Sequence, residues 1–409
     1  MSAEILFRSK HDQEDFNPNV FKKVSLKKMI LEIIYRQGSK SIPELGRIVQ
    51  MSIPTVTRAV VQMVKEGYIL DEGIGASSGG RKPYLYGLNP TSCYVLGIDI
   101  SRYFVRMCIY NMHNQPATEI KLLNEGLETT TDILKVIHQG AMDLIRSSGI
   151  IKEKILGVGI ALPGLIDIRT GISYSYLHSE DKPASALFEE LFHLPVFVEH
   201  DTRSMALGEL AFGMAKGKQN VICLNIGSGI SISMILNGQL YRGNSGFAGE
   251  FGHIQMDPEG QLCYCGKIGC LETLASGTTM IRKVKKELEA GATSIIRKLV
   301  DNDLSKISSG VILDAAHKGD QFAIGHLAQI GEQLGKGIAI LIHLFNPELI
   351  IICGELSKAD NYLTDPIQQN INKYTIAKIR KDTQIITSEL GENAGIMGTV
   401  ALVMDKIFL

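Results

Sequence analysis

The apolar residues near the start of the chain follow a spacing that predicts three short helices. The first, over 25–37, carries apolar side chains at intervals of three and four residues: Leu26, Ile30, Ile33 and Ile34. The second, over 41–49, turns three residues inward: Leu45, Ile48 and Val49. Ser52 can cap the third, over 53–66, and Pro54 fits its first turn. Three short helices with a tight link before the third are typical of a helix-turn-helix.

The third helix divides into an apolar and a polar face. Val56, Val60 and Met63 are expected to face the core. The opposite face carries four polar side chains: Thr55, Arg58, Gln62 and Lys65. A recognition helix in a DNA major groove needs such donors near its N-terminal end, and Ser52 lies beside them. The alternative for this face is an ordinary solvated surface in a protein-docking winged helix.

A hairpin wing is predicted after the third helix. Apolar strands at Tyr68 and Tyr84 flank the Gly- and Ser-rich tip GIGASSGGRKP. On this tip, Arg81 and Lys82 are expected to reach phosphates or a narrow minor groove. The alternative for the pair is a linker with incidental charge.

From Tyr94 onward the pattern changes to short apolar strands between glycines. The predicted strands and the helix among them are 94–100, 105–110, 155–162, 196–199, the helix 202–212, 221–226, 230–236, 349–353 and 384–386. Residues 279–345 look mainly helical. The segments VLGIDIS…FVRMCIYN and VICLNIGSG-ISISMILN match in order and polarity, which indicates a weak internal repeat. Two such α/β halves are what a duplicated nucleotide- or sugar-binding fold needs.

Length and charge separate the chain into a basic head and a mildly acidic body. With 409 residues it is long enough for two or three domains. Residues 20–90 hold 11 Lys and Arg against 5 Asp and Glu, whereas residues 91–409 hold 29 against 34. A compact basic segment joined to an acidic body indicates a nucleic-acid reader fused to another module. The composition, with 45 % hydrophobic and 21 % charged residues, excludes a mainly disordered, collagenous or coiled-coil chain.

The positions of apolar and Cys residues indicate in which cellular compartment the protein is expected. No stretch has the ~20 continuous apolar residues of a membrane span, and the polar N-terminus lacks the apolar core of a signal peptide. Seven cysteines, three of them within eight residues, are not spaced like a secreted disulfide framework. The sequence therefore predicts a cytoplasmic protein with one metal site and no membrane partner.

One His and three Cys residues form the pattern H-x9-C-x-C-x4-C. They are His253, Cys263, Cys265 and Cys270. One imidazole and three thiolates suit tetrahedral Zn²⁺ with no open position, so the predicted zinc site is structural rather than catalytic. The alternative is a set of free thiols that happen to lie close together in the sequence.

Five segments resemble those of the ROK family of sugar-responsive repressors and sugar kinases. The segments are AGEFGH with CYCGKIGCLE, ALPGLID, EHDTRSMALGE, LFNPELIIICGELS and GENAGIMGTVAL. The resemblance covers residues 91–409, and the helix-turn-helix with its GGRKP wing is similar to the repressor branch, whose members respond to glucose, N-acetylglucosamine or xylose. It implies an α/β fold: an N-terminal winged helix-turn-helix, then a two-lobed actin/hexokinase-like (ribonuclease H-like) body with a zinc-binding insertion. The implied final helix, near 393–409, packs back on the first lobe.

The resemblance also implies a sugar site and its residues. Asp201 matches the kinase catalytic base, Glu250, His253 and Glu272 match ligands of sugar hydroxyls, and the backbone of Gly164 lines the pocket. Carboxylates suit this role because they accept hydrogen bonds from vicinal hydroxyls. His253 would bind zinc through one ring nitrogen and face the sugar with the other. His200 stands where the kinases usually have Asn. The alternatives are a helix cap for Asp201, a surface acid for Glu250 and a helix-start carboxylate for Glu272.

Three segments that bind nucleotide in the kinases of the family depart from the kinase pattern. The DxGGT-type turn reads Asp99-Ile-Ser-Arg-Tyr103, the GTGxGxG segment reads 227–233 as GSGISIS, and the Gly-Gly pair is replaced in 353–355, CGE. Small residues let backbone amides approach phosphate, and in this chain several of those small residues are replaced by larger ones. We therefore expect no kinase activity, although Asp201 is retained and Arg102 can pair with a phosphate.

These observations predict a DNA-binding transcriptional regulator of carbohydrate genes, a repressor controlled by a sugar or sugar phosphate. Its partners would be an operator duplex and a second copy, as a homodimer or a dimer of dimers. The expected domains are a tail at 1–19, the head at 20–90, a first lobe at 91–215 completed by the helix near 393–409, and a second lobe at 216–392. The alternatives are an ATP-dependent sugar kinase with a regulatory head and a repressor released by a protein partner.

Overall fold

The head of the chain is a winged helix-turn-helix. A computed structural model describes residues 18–75, 83–130, 132–177 and 182–408. In chain order, the elements of the head are α1 (Pro18–Gln37), β1 (Lys40–Ser41), α2 (Ile42–Val49), α3 (Ile53–Lys65), β2 (Ile69–Ile74) and β3 (Tyr84–Leu88). The strands form an antiparallel sheet in the order β1-β3-β2. Helix α1 begins earlier than predicted, at Pro18. The predicted wing residues Arg81 and Lys82 lie outside the described residues.

Local hydrogen bonds fix the tight link between α2 and α3. A capping box between Ser41 and Glu44 starts α2, and Gln50 ends it in the left-handed conformation with φ 54°. Val56, Val60 and Met63 of α3 are buried, as predicted. The prediction that Ile48 faces inward is wrong, because its side chain is 43 % exposed. The buried face of α2 instead includes Gly46, where an added Cβ would lie 3.1 Å from Ile53 Cδ1 and 3.3 Å from the carbonyl oxygen of Met51.

The helix cap predicted for Ser52 is only partly correct. Ser52 is the N-cap residue of α3, but its side chain makes no cap hydrogen bond. Its hydroxyl lies 2.8 Å from the hydroxyl of Thr55 instead.

The body contains two five-stranded sheets of matching topology. The elements of the first region are β4 (Tyr94–Ile100), β5 (Val105–Asn111), β6 (Lys121–Leu123), α4 (Ile133–Ser148), β7 (Ile155–Leu162), α5 (Ala184–Phe192) and β8 (Val196–His200). The sheet order is β6-β5-β4-β7-β8, with β4 antiparallel to β5 and parallel to β7. Every residue of β7 is buried, which explains its unbroken apolar run.

The second region repeats this arrangement. Its elements are α6 (Asp201–Phe212), β9 (Val221–Ile226), β10 (Ile230–Leu236), β11 (Gln239–Tyr241), α7 (Glu272–Ala275), α8 (Gly277–Glu289), α9 (Ile296–Leu299), α10 (Ser309–His317), α11 (Gln321–Phe345), β12 (Leu349–Cys353), α12 (Asn361–Tyr374), α13 (Ala377–Arg380), β13 (Gln384–Thr387) and α14 (Ala394–Phe408). The sheet order β11-β10-β9-β12-β13 corresponds strand by strand to that of the first sheet. The internal repeat seen in the sequence is therefore a repeat of topology.

Contacts between Cα atoms divide the chain into two compact units. The first unit comprises the residues up to Gly164, Gly171–Glu199 and Thr399–Leu409, and the second comprises Leu165–Thr170 and His200–Gly398. The predicted final helix is α14, and from Thr399 onward it belongs to the first unit. The predicted domain boundaries at 90 and 215 stay a prediction. Among the described helices, none is long and apolar enough to cross a membrane.

Candidate functional site

The four predicted metal ligands lie together in the second unit. One ligand atom from each of His253, Cys263, Cys265 and Cys270 lies within 4.8 Å of the others. His253 Nδ1 is 3.6 Å from Cys263 Sγ, and the Sγ atoms of Cys265 and Cys270 are 3.7 Å apart. A tetrahedron with zinc–sulfur bonds of about 2.3 Å has edges of about 3.8 Å, so these separations fit a closed tetrahedral site. The group can therefore hold a metal ion.

Two glycines allow the loop to fold its thiols together. Gly269 has φ +74°, and a Cβ there would lie 1.5 Å from the carbonyl oxygen of Asp257. Gly266, with φ +87°, donates its N–H to the carbonyl of Cys263 at 3.0 Å. Burial and the two neighbouring thiols raise the pKa of Cys270 to about 12. Three thiolates this close repel one another, and a bound cation is what allows all of them to lose their protons.

His253 faces the metal group with one ring nitrogen and two other side chains with the second. Its Nε2 atom lies 3.9 Å from Glu250 Oε2 and 3.1 Å from the hydroxyl of Tyr264. A histidine that binds metal through Nδ1 would keep Nε2–H as a donor toward this side. Tyr264 was not predicted from the sequence. Its ring packs edge-on to His253 at 5.2 Å, and its position between two cysteines of the motif is the signal that points to it.

Glu272 lies close to the backbone at the start of β10. Its Oε2 atom accepts the N–H of Ile230 at 3.0 Å. Cβ atoms at Gly229 and Gly252 would lie 2.7 and 3.1 Å from the same oxygen, so only small residues fit there. Glu272 is half-buried and its carboxylate keeps acceptor capacity for a further donor.

Asp201 begins α6 directly after β8. Its Oδ1 atom accepts the backbone N–H of Thr202 at 2.5 Å and lies 3.1 Å from His200 Nδ1. The hydroxyl of Thr202 contacts that of Ser231 and accepts the side-chain N–H of Asn225 at 3.1 Å. His200, not Asp201, is the N-cap residue of α6, and no side chain makes a cap hydrogen bond there, so the helix-cap alternative for Asp201 is wrong. The Oδ2 atom of Asp201 has no part in the contacts with Thr202 and His200.

Of the predicted sugar ligands, five lie in the second unit, and Gly164 belongs to the first. Gly164 has φ +90°, and a Cβ there would lie 2.5 Å from the Cβ of Ser175. Its conformation therefore requires glycine.

The segments that are predicted to depart from the kinase pattern make contacts within the chain. In the turn after β4, Ser101 Oγ accepts the N–H groups of Tyr103 and Phe104 at 3.3 and 3.1 Å. Arg102 lies 3.7 Å from Glu128. Burial raises the pKa of Glu355, which faces the first turn of α10 at Ser309. In the second phosphate segment, the carbonyl of Gly227 accepts the N–H of Gly277 at 2.8 Å.

The polar face of α3 is presented to solvent. Arg58, Gln62 and Lys65 are exposed and Thr55 is half-buried. Gln62 donates to Glu66 at 2.9 Å, and Glu66 is bound by the buried Lys27 at 2.6 Å. The three exposed side chains can therefore reach a groove without disturbing the core.

Comparison with known proteins gives consistent results over the head and the body. The ROK family profile matches residues 95–406, and that of the MarR family matches residues 27–70. The xylose repressor of Caldicellulosiruptor bescii is 27 % identical over 96 % of this chain and 98 % of its own. The Escherichia coli DNA-binding transcriptional dual regulator NagC is 31 % identical over 91 % of each chain.

Two solved structures extend the comparison. A ROK family transcriptional regulator, a homologue of the E. coli MLC protein, superposes with a TM-score of 0.75 at 26 % identity over 94 % of this chain and 97 % of its own. A ROK family glucokinase from Streptomyces griseus, in complex with glucose and AMPPNP, has a TM-score of 0.69 at 28 % identity and covers 76 % of this chain and 99 % of its own. These matches confirm the predicted winged helix-turn-helix and the actin/hexokinase-like body. The chain belongs to the ROK family of proteins.

Proposed function

We propose that this chain is a transcriptional repressor of carbohydrate genes whose affinity for its operator is controlled by a sugar or sugar phosphate. The observation that carries the proposal is the share of this chain that each group of relatives matches. The repressor relatives match the chain including its DNA-reading head, whereas the glucokinase match spans nearly all of that enzyme but only 76 % of this chain. The exposed polar face of α3 and the basic charge of the head support the same function.

The effector site we propose consists of five residues of the second unit: His200, Asp201, Glu250, His253 and Glu272. The contribution of the Gly164 backbone stays a prediction from the family resemblance. The carboxylates accept hydrogen bonds from sugar hydroxyls, and His253 Nε2–H donates one. Zinc, if bound by His253 and the three cysteines, would fix the orientation of the imidazole and supply no reactive position. The names of the relatives make xylose and N-acetylglucosamine the first sugars to test.

The proposed DNA contacts are residues of the polar face of α3, its N-cap residue and two residues of the predicted wing. They are Ser52, Thr55, Arg58, Gln62, Lys65, Arg81 and Lys82. Half-site recognition on a duplex favours a homodimer or a dimer of dimers.

The test begins with an operator selected from a random duplex pool by the full chain. Its dissociation constant is then measured by fluorescence anisotropy with D-glucose, D-xylose, N-acetylglucosamine and their phosphates. We expect one of these sugars to change the constant at least tenfold. If no duplex is enriched, the regulator function is wrong, and if a duplex is enriched but no sugar changes its affinity, sugar control is wrong.

The main alternative is a sugar kinase with a regulatory head, which the glucokinase match favours. Against it stand the turn amides already bound by Ser101, the pairing of Arg102 with Glu128, and the carboxylate of Glu355 in a segment where the kinases have glycine. A coupled ADP assay with the same sugars decides between them, because sugar-dependent turnover that disappears in Asp201→Asn would establish the kinase. Release of the operator only by cell extract or membranes would instead favour control by a protein partner.

A further inference from the structure

The last helix of the chain is bound to the first helix of the DNA-reading head. Arg36 Nη2 donates to Asp405 Oδ1 at 3.0 Å, and the ring of Tyr35 lies 5.4 Å from that of Phe408. The hydroxyl of Tyr35 also donates to Asn114 Oδ1 at 2.9 Å. These contacts all lie within the first unit, so the head is held at this point by both the last helix and the turn after β5.

This contact is more than one surface ion pair. Alone, the pair of Arg36 and Asp405, with side chains 44 % and 49 % exposed, would contribute little. Arg36 is also bound by Glu32 at 3.0 Å, which makes a three-membered network. Burial raises the pKa of Tyr35 to about 12, so its hydroxyl stays protonated and keeps donating to Asn114.

The opposite end of the last helix packs against the helix that begins at Asp201. Ser204 Oγ donates to the carbonyl of Gly395 at 2.9 Å. A Cβ at Gly398 would lie 1.7 Å from the carbonyl oxygen of Ser204, and a Cβ at Gly208 would lie 2.4 Å from that of Ala394. The backbones of α6 and α14 therefore touch with no side chain between them. Because packed interiors compress little, a displacement of α6 has to be followed by α14.

Helix α14 is continuous between these two contacts. Its fifteen residues from Ala394 to Phe408 contain no proline and span about 22 Å. The residues of α14 up to Gly398 belong to the second unit, and those from Thr399 onward belong to the first. One continuous helix therefore contacts both α6, which begins at Asp201 of the candidate effector site, and α1, the first helix of the DNA-reading head.

We propose that α14 is a positioning element that couples α6 to the head, with Asp405 and Phe408 acting through Arg36 and Tyr35. Ligands at Asp201 would move or stiffen α6, and α14 would transmit the change to α1. The identity of the signal rests on the proposed function, whereas the mechanical link does not. Asp405 touches neither sugar nor DNA in this proposal.

A double-mutant cycle on the full chain tests the link without any sugar. Ser204→Ala loosens one end of α14, and Asp405→Ala loosens the other, about 15 Å farther along the helix than Gly395. We expect each single change to alter the operator dissociation constant at least threefold. If the two ends are coupled, the fold-change of the double variant should differ at least threefold from the product of the two single fold-changes. Mutations this far apart normally have independent effects. A double-variant fold-change that equals the product of the single fold-changes within twofold would therefore overturn the proposal.

Two further variants separate coupling from simple loss of structure. Asp143→Ala removes an acid of similar exposure, 46 %, that pairs with Arg146 in the same unit, and it should leave the operator affinity unchanged. The triple exchange Glu32→Lys, Arg36→Asp and Asp405→Arg restores the three-membered network with all charges reversed, and it should return the affinity to within twofold of the original chain. If circular dichroism shows that the exchange variant is folded like the original chain but its operator affinity is not restored, the proposal is wrong.

A sugar titration then separates this proposal from the proposed function. In Asp405→Ala, calorimetry with D-xylose, N-acetylglucosamine and the other sugars of the panel should give unchanged affinity. The effect of the active sugar on operator binding should fall at least fivefold, and an undiminished effect would overturn the coupling. If no sugar acts on the original chain, sugar control is wrong and the mutant cycle alone decides the coupling.

Discussion

Glu272 directly, and Asp201 through Thr202, are linked to consecutive residues of the same strand, although the two acids lie 71 positions apart in the sequence. Glu272 accepts the N–H of Ile230, and Thr202, which is bound to Asp201, contacts the hydroxyl of Ser231. The start of β10 therefore sets the position of both carboxylates. This shared support is the reason to expect the two groups to act on one ligand.

Glu272→Gln should weaken binding of the effector sugar tenfold to a hundredfold with little change in folding. The amide oxygen of glutamine can still accept the N–H of Ile230, so the local structure is kept. What is lost is a charge-assisted hydrogen bond to the sugar, which contributes ~1.5–3 kcal/mol. Calorimetry with the active sugar measures the loss. Glu259→Gln, at an exposed acid near the metal motif, is the matched control, and equal losses in both variants would contradict a specific role for Glu272.

Cys263→Ser and Cys265→Ser should each release zinc and loosen residues 250–275. A hydroxyl is a poor replacement for a thiolate ligand, and this loop has few buried apolar side chains of its own, among them Phe251 and Leu271. Elemental analysis of the purified chain should give about one zinc per chain before the change and far less after it. Hydrogen exchange should rise in the loop and remain unchanged in β4 and β7. A full complement of zinc in both variants would contradict the site, and Cys108→Ser is the control.

The ion pair of Asp167 and Arg169 should make the stability of the fold depend on pH in the acidic range. Hydrogen bonds from the side chain and backbone of Arg169 lower the pKa of Asp167 to about 2, from an ordinary value of 3.8. Because the folded pKa is the lower one, the pair stabilises the fold above pH ~4, and this contribution disappears as the pH falls toward ~2. Arg169→Gln should therefore lower the melting temperature at pH 7 and have a shrinking effect below pH 4. If the difference in melting temperature between the original chain and Arg169→Gln stays constant from pH 7 to pH 3, ionisation of Asp167 is not the cause of that difference.

The parts of the molecule that sequence analysis predicted are those set by local patterns. The unbroken apolar run of β7 has the predicted bounds because burial on both faces leaves no polar position in it. The metal group was visible because its cysteines and glycines lie within one loop. The repeat of topology was visible because both hairpins have the same order of apolar strand, polar turn and apolar strand.

The parts that were missed depend on packing between distant segments. Arg36 and Asp405 are 369 residues apart, and nothing in either neighbourhood indicates that they pair. The outward position of Ile48 follows from the close approach of Gly46 to the link before α3, which helical spacing alone does not contain. The contact between Tyr264 and His253 depends on how one loop folds back. The wing residues Arg81 and Lys82 stay a prediction.

Arg58 and Lys65 should differ in how their loss affects DNA binding, although both are exposed on α3. Arg58 lies in the N-terminal half of α3, the part that we propose enters a groove, so Arg58→Ala should weaken binding to the selected operator by about 1–3 kcal/mol and relax selectivity at one base pair. Lys65 lies in the last turn, and we propose that it contacts a phosphate. Lys65→Ala should therefore weaken binding to all duplexes alike and lower the slope of log affinity against log salt concentration by about 1. Anisotropy with the operator and its single-base variants, at several salt concentrations, measures both effects, with Lys318→Ala as the control. An equal loss on every duplex for Arg58→Ala would make it a phosphate contact and remove it from base recognition.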